Sequence, residues 1–373
     1  MMALAVGSAS CAQEPSTTWL QLEADRLIKE DTTGGGVILA IVEADGDVIA
    51  AASPGVQTEG DTIRPDQRFR IGSVTKTFVA TVMLQLYDEG LVDLDAPAAD
   101  YLSEPTMPEG VTVRQLLGHT SGAPEYVGHE GYWERVRGSP AVPLTPRDIL
   151  NFIRDDPPLF EPGARWSYSN TNYIYLGLLI EAVTGEEVAA VLRDRIIGPL
   201  GLEDTYLAGN EYGPPVVQAP IWIPEVPSPT CDTCLVGLQH DYPYASTATG
   251  AWTAGAIVSS AADLATFFTA LFDGALISDD ALAQMISGEP LSGGHDPVVG
   301  YGLGLSAYAP ARYDPADPDL TFYGHGGSVP GFITLVWHEP DSGTTIVAAS
   351  TDGRIDLLPA TLAMARYVEE KGP

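Results

Sequence analysis

The sequence predicts an α/β (α+β) fold: an antiparallel β-sheet flanked by helices, with a mainly α-helical lobe inserted between the strand-forming parts of the chain. Three observations carry this. Two strand patterns enclose a turn near the start, the long middle shows helical spacing broken by proline and glycine, and strand patterns return in the last quarter. At 373 residues the chain suits two lobes sharing a core. The expected organisation is an α/β lobe from residues 17–94 and 296–373, a mainly helical lobe over 95–295 with an irregular loop at 208–250, and a leader remnant or disordered N-terminus over 1–16.

The elements follow in order. Trp19, Leu20, Leu22, Leu27 and Ile28 recur at near-helical spacing until Gly34-Gly35-Gly36 stops the helix. GVILAIVE and DVIAAAS flank Ala44-Asp45-Gly46, a hairpin signal. From Ser73 onward, Phe78, Val79, Val82, Met83 and Leu86 mark a helix buried on one face and ended by Gly90, which puts Ser73 in its first turn. Helical patterns cover 113–118, 146–154, 171–184, 186–197 and 260–273. Between them, Pro214, Pro215, Pro220, Pro224, Pro227 and Pro229 make 208–250 irregular, and a loop that long is usually functional or mobile. Strands then read as GYGLGLSAY, ITLVWHE and TTIVAAST, the last two joined by Pro340-Asp341-Ser342-Gly343. A helix over about 358–370 follows.

Composition narrows the function. With 50 acidic against 18 basic residues and a net charge of -32, most of the exterior repels nucleic acid and anionic membrane. No apolar run reaches the roughly 18 residues of a membrane span. Only Lys29, Lys76 and Lys371 are lysine, a bias fitting a GC-rich or a salt-adapted source. The start, MMALAVGSASCAQEP, reads as the tail of an export leader, with Cys11 where a lipid-modified cysteine can stand, or as a frayed cytoplasmic N-terminus. Export to the periplasm or beyond is the expectation, with anchoring through Cys11 open. Cys231-Asp232-Thr233-Cys234 lacks the βαβ context of a redox motif and the further ligands of a zinc site, so a local disulfide is expected.

Lys76 lies three residues after Ser73, and on a helix that spacing puts both side chains on one face. A serine hydroxyl is a weak nucleophile until a base takes its proton, and a lysine can do so if burial keeps it neutral. Ser-x-x-Lys alone is a weak signal. Tyr168-Ser169-Asn170 in EPGARWSYSNTNYIYLGLLIEAVTG and His325-Gly326-Gly327 in FYGHGGSVPGF give it company. Taken singly, Ser73 could be a helix N-cap, Tyr168 a core tyrosine and Asn170 a cap.

With these three motifs in this order, the sequence resembles the serine β-lactamase and penicillin-binding superfamily, in the branch holding class C β-lactamases, D-alanyl-D-alanine carboxypeptidases, D-aminopeptidases and β-lactamase-like esterases. TVRQLLGHTSGAP, GPLGLEDTY and TAGAIVSSAADLATF resemble further family segments, and the likeness runs over about 17–370. It implies a β-lactamase/transpeptidase-like fold with the site in a cleft between the lobes. It implies a serine hydrolase acting through an acyl-enzyme on a small ester, amide or peptide. Ser73 would be the nucleophile, Lys76 its base or proton relay, and Tyr168 a second proton handler, as phenolate or through Lys76. Asn170 would bind substrate and hold Lys76, the backbone N–H groups of Ser73 and Ser328 would form the oxyanion hole, and His325 would border the leaving group. No cofactor or metal is implied, and the remaining histidines, His119 among them, show no metal spacing. The alternative is a non-hydrolytic relative that binds peptidoglycan or regulates.

The third motif departs from the family. Where a lysine and a threonine would clamp a substrate carboxylate, this chain has His325 and Gly326, followed by Gly327. Arg354, in STDGRIDLL, is either the replacement cation or a solvated surface arginine. A strict β-lactamase is disfavoured.

Overall fold

The computed structural model describes residues 17–30, 35–53, 63–139, 141–211, 216, 245–291, 297–317 and 319–372. The leader-like start with Cys11, the prolines of the irregular loop, Cys231, Cys234 and His295 lie outside the described residues.

Strands run as β1 (Val37–Val42), β2 (Val48–Ser53), β3 (Phe69–Arg70), β4 (Tyr206–Leu207), β5 (Ile257–Ser259), β6 (Glu289–Pro290), β7 (Val298–Tyr301), β8 (Ser306–Tyr308), β9 (Phe322–Val329), β10 (Phe332–Glu339) and β11 (Thr344–Ser350). Eight of them form one sheet in the order β2-β1-β11-β10-β9-β8-β7-β6, so strands from both parts of the chain meet at β1 and β11. Val37 pairs with Ser350 and Val42 with Thr345, antiparallel. β1 is apolar at every position because both of its faces are covered. Leu39 and Ile41 pack under the helices Thr17–Glu30 (α1) and Leu358–Lys371, while Ile38 and Ala40 join the larger core on the opposite face. None of the helices among the described residues is long and apolar enough to cross a membrane.

Two expectations need correcting. GYGLGLSAY is two strands, β7 and β8, because Gly302 and Gly304 turn the chain between them: Gly302 N donates to Leu305 O at 2.8 Å and Gly304 sits at φ +75. The mainly helical middle also contributes the short strands β4 and β5, which pair with β3 of the first lobe into a small second sheet. The helix after Ser73, Thr75–Asp88 (α2), is buried nearly all round rather than on one face. Its polar residues satisfy themselves inside: Thr77 Oγ1 donates to Gly304 O at 2.9 Å and Thr81 Oγ1 to Thr77 O at 2.8 Å. The helix Thr171–Thr184 (α3) is buried over its first ten residues, Thr171–Ile180, and packs against α2. These two enclosed helices hold the site rigidly against the sheet.

Candidate active site

Ser73 lies in the tight turn Gly72–Val74 that leads into α2, and β9 passes beside it. Two glycines make that approach possible. Gly72 sits at φ +52, and a side chain there would meet Ser328 N at 2.7 Å; one on Gly327 would meet Ile71 O at 2.0 Å and Ser73 N at 3.2 Å. The backbone of Ser73 and that of Ser328 are thereby brought side by side.

Lys76 is fully buried. Its Nζ lies 3.0 Å from Ser73 Oγ, 2.8 Å from Asn170 Oδ1 and 2.7 Å from Ala254 O. Burial lowers its pKa to about 7 against an opposing pull from the Glu125 carboxylate. A neutral amine has two N–H groups and one lone pair. The carbonyl of Ala254 and the amide oxygen of Asn170 take the two hydrogens, which leaves the lone pair facing the Ser73 hydroxyl.

Asn170 stands at the N-cap position of α3 but makes no capping bond with its side chain. Its Nδ2 donates to Glu125 Oε2 at 3.0 Å and its backbone N to the same oxygen at 2.6 Å. The carboxylate therefore sets which end of the amide faces Lys76. Burial raises the Glu125 pKa, with the bonds from Asn170 and Val127 and the charge of Lys76 pulling the other way. Tyr168 is hydrogen-bonded to Ser73, and burial pushes its hydroxyl well above the usual phenol range. It rests as a neutral phenol, so of the two proton routes expected for it the phenolate is disfavoured. The Lys76 Nζ lies 5.0 Å from the centre of its ring.

His325 is buried beneath this group rather than lining the cleft. Its Nε2 is 3.0 Å from the Tyr301 hydroxyl and its Nδ1 2.5 Å from Gly326 O. Burial first and Lys76 second lower its pKa to about 3, so it is neutral, where a partial charge was expected. A Cβ on Gly326 would face Leu335 and the Tyr308 hydroxyl, at 3.4 and 4.0 Å. Arg354 is at the rim of the cleft and bound by the buried Asp352, with Nε to Oδ1 at 2.9 Å and Nη2 to Oδ2 at 2.6 Å. The cavity, about 370 Å³, opens on Ser73, Asn170 and Ser328 between an aromatic wall of Tyr126, Tyr132 and Trp133 and the segment Val329–Gly331 with Gly353 and Arg354. His129 caps the helix Glu130–Gly138 by accepting from Gly131 N.

A family model described as Beta-lactamase matches residues 24–363. The chain belongs to the beta-lactamase family. Among family relatives, a D-stereospecific amidohydrolase from a Streptomyces species is 30% identical and superposes with a TM-score of 0.77, over 95% of this chain and 99% of that one. A penicillin-binding protein of Bacillus subtilis is 26% identical over 84% of this chain and 67% of its own length. The esterase EstB of Burkholderia gladioli is 33% identical over 48% of each. The protein is a serine hydrolase of this family, with the family's antiparallel sheet flanked by helices.

Glu125, His119 and Tyr301 were not read as site residues. Glu125 and His119 fall within or just beyond TVRQLLGHTSGAP, and Tyr301 opens the glycine turn after β7, but nothing local shows what they touch.

Proposed function

We propose that Ser73 is the nucleophile of an acyl-enzyme hydrolase acting on small esters and amides without a carboxylate beside the scissile bond, D-amino-acid amides among them. The lone pair of the buried Lys76, aimed at the Ser73 hydroxyl, carries this reading. As Ser73 Oγ bonds to the substrate carbonyl carbon, its proton moves to Lys76 Nζ. The carbonyl oxygen takes up negative charge between the N–H groups of Ser73 and Ser328, where preorganised donors lower the barrier most. Lys76 then returns the proton through the Tyr168 hydroxyl to the leaving group, and the carbon–leaving-group bond breaks. Water repeats the sequence on the acyl-enzyme. Asn170 has one amide N–H beyond the one given to Glu125, available to the substrate carbonyl.

The substrate class rests on charge. A β-lactam or a free D-Ala-D-Ala end presents a carboxylate beside the scissile bond, whereas here His325 is neutral, Gly326 has no hydroxyl, and Arg354 is already bound by Asp352. Carboxypeptidase and β-lactamase activities are therefore disfavoured, in line with the amidohydrolase and esterase among the relatives. Export belongs to the same proposal, supported by the leader-like residues before Cys11. The test is a panel of p-nitrophenyl esters, D- and L-amino-acid amides, nitrocefin and a D-Ala-D-Ala peptide, run beside Ser73→Ala. Turnover of esters or amides that vanishes in the variant, with a fluorophosphonate adduct mapped to Ser73, is expected. Undiminished turnover by Ser73→Ala would overturn it.

A further inference from the structure

His119 is fully buried, is kept neutral by that burial and by nearby Lys76, and holds a left-handed backbone at φ +60, which costs a non-glycine residue energy and persists only where neighbouring structure enforces it. What enforces it is the tyrosine motif. The His119 carbonyl accepts from Ser167 N at 2.9 Å, its Nδ1 accepts from Ser169 N at 3.2 Å, and its ring packs on the ring of Tyr168 with centres 4.2 Å apart. One side chain and its own backbone thus grip three consecutive residues.

The protons on this group are determined by its partners. Ser121 Oγ donates to Asn172 Oδ1 at 2.6 Å, so the other end of that amide, Nδ2, is the one 3.1 Å from His119 Nδ1. With two N–H groups pointing at it, Nδ1 carries no proton, and Nε2 does. Nε2 lies 3.1 Å from the Tyr301 hydroxyl, which in turn lies 3.0 Å from His325 Nε2, while His325 Nδ1 must donate to Gly326 O. The bonds therefore run in one sense, from Ser121 through Asn172, His119, Tyr301 and His325 to the backbone of β9.

We propose that His119 is a positioning residue for Tyr168, holding its hydroxyl at Ser73 and tying it through Tyr301 to the strand that carries Ser328. This rests on the reading of Tyr168 as the group that protonates the leaving group. A misplaced Tyr168 hurts substrates in proportion to how much proton the leaving group needs: an amine must be protonated to depart, and p-nitrophenolate need not be.

The experiment measures kcat and KM for one acyl group as its amide and as its p-nitrophenyl ester, in the parent, His119→Asn, Tyr301→Phe and Tyr168→Phe, with melting curves for each. Asparagine tolerates the left-handed backbone but supplies neither the ring nor the Nε2 proton. His119→Asn is expected to lower kcat for the amide by roughly 10- to 100-fold, the scale of a small misplacement, with a clearly smaller loss for the ester and little change in KM. Tyr301→Phe, which keeps the ring, should move the amide-to-ester ratio the same way by less and reports even if His119→Asn does not fold. Equal losses on both substrates in the two variants, or an unchanged ratio, would overturn the positioning role. If Tyr168→Phe itself leaves the ratio unchanged, it is the proton-donor reading of Tyr168 that fails.

Discussion

Replacing Lys76 with methionine should make the protein inactive and shift its stability relative to the parent upward as pH falls. Lys76 has a pKa of about 7 in the fold against 10.5 when free. At 1.36 kcal/mol per unit, that span corresponds to on the order of 5 kcal/mol opposing folding whenever Lys76 holds its proton. The sign follows from proton counts. Between pH 7 and 10.5 the unfolded chain keeps a proton on this lysine that the folded chain has lost, so the parent gains stability as pH rises through that window and gains nothing further above it. Methionine has nearly the same length and no proton to lose. It leaves Ala254 O and Asn170 Oδ1 without their donor, a roughly constant cost of about 1–3 kcal/mol per buried group. The stability of Lys76→Met minus that of the parent should therefore be most positive near pH 6 and fall by several kcal/mol by pH 10. Urea unfolding at pH 6, 8 and 10 reads it, and kcat/KM on an ester should fall at least ~100-fold at pH 8 and above, where the parent's Lys76 has lost its proton. A difference in stability that stays flat from pH 6 to 10 would refute a depressed Lys76, whatever the activity did.

Other outcomes follow from the same geometry. In the parent, kcat/KM should rise with pH along a limb near 7 as Lys76 loses its proton, and Glu125→Gln should move that limb to lower pH, because the carboxylate is what holds the lysine pKa up; an unmoved limb would separate Glu125 from the base. Neutral short-chain esters and amides should show higher kcat/KM than nitrocefin or a free-carboxylate dipeptide, and Arg354→Ala should not reverse that order. A preference for carboxylates lost in Arg354→Ala would make Arg354 the anchor. The Tm should rise from low to molar sodium chloride, since salt screens repulsion among the carboxylates behind the net charge of -32; a flat curve would leave coding bias as the account of the scarce lysines.

Much of the surroundings of Ser73 was legible because it is local. Ser73 and Lys76 meet through one helical turn, and the hairpin around Gly46 and the last two strands announce themselves by apolar runs and turn residues. What could not be read is set by distance along the chain. Glu125 works by holding Asn170, and the Ala254 carbonyl that completes the lysine's partners belongs to a third segment. The all-round burial of α2 was hidden because Thr77, Thr81 and Lys76 look like a solvated face until their internal partners are seen. His325 looked half-charged for the same reason: its composition is polar, while its surroundings are dry. The split of GYGLGLSAY had a signal, the glycines at 302 and 304, outweighed by the apolar alternation around them.

The pairing of β1 with β11 has a consequence for when this enzyme comes into being. Ser73 and its helix precede, by about 250 residues, both the strand that carries Ser328 and the strand that seals the centre of the sheet, and Gly36 N reaches Thr351 Oγ1 at 2.8 Å across that seam. Contacts between such distant segments carry a large closure entropy and form late. A chain cut before β9 would keep Ser73 and Lys76 but lack the Ser328 amide of the proposed oxyanion hole, and is expected to be inert. On the proposed reading, activity should appear during refolding only when this central seam closes, so its onset times that step.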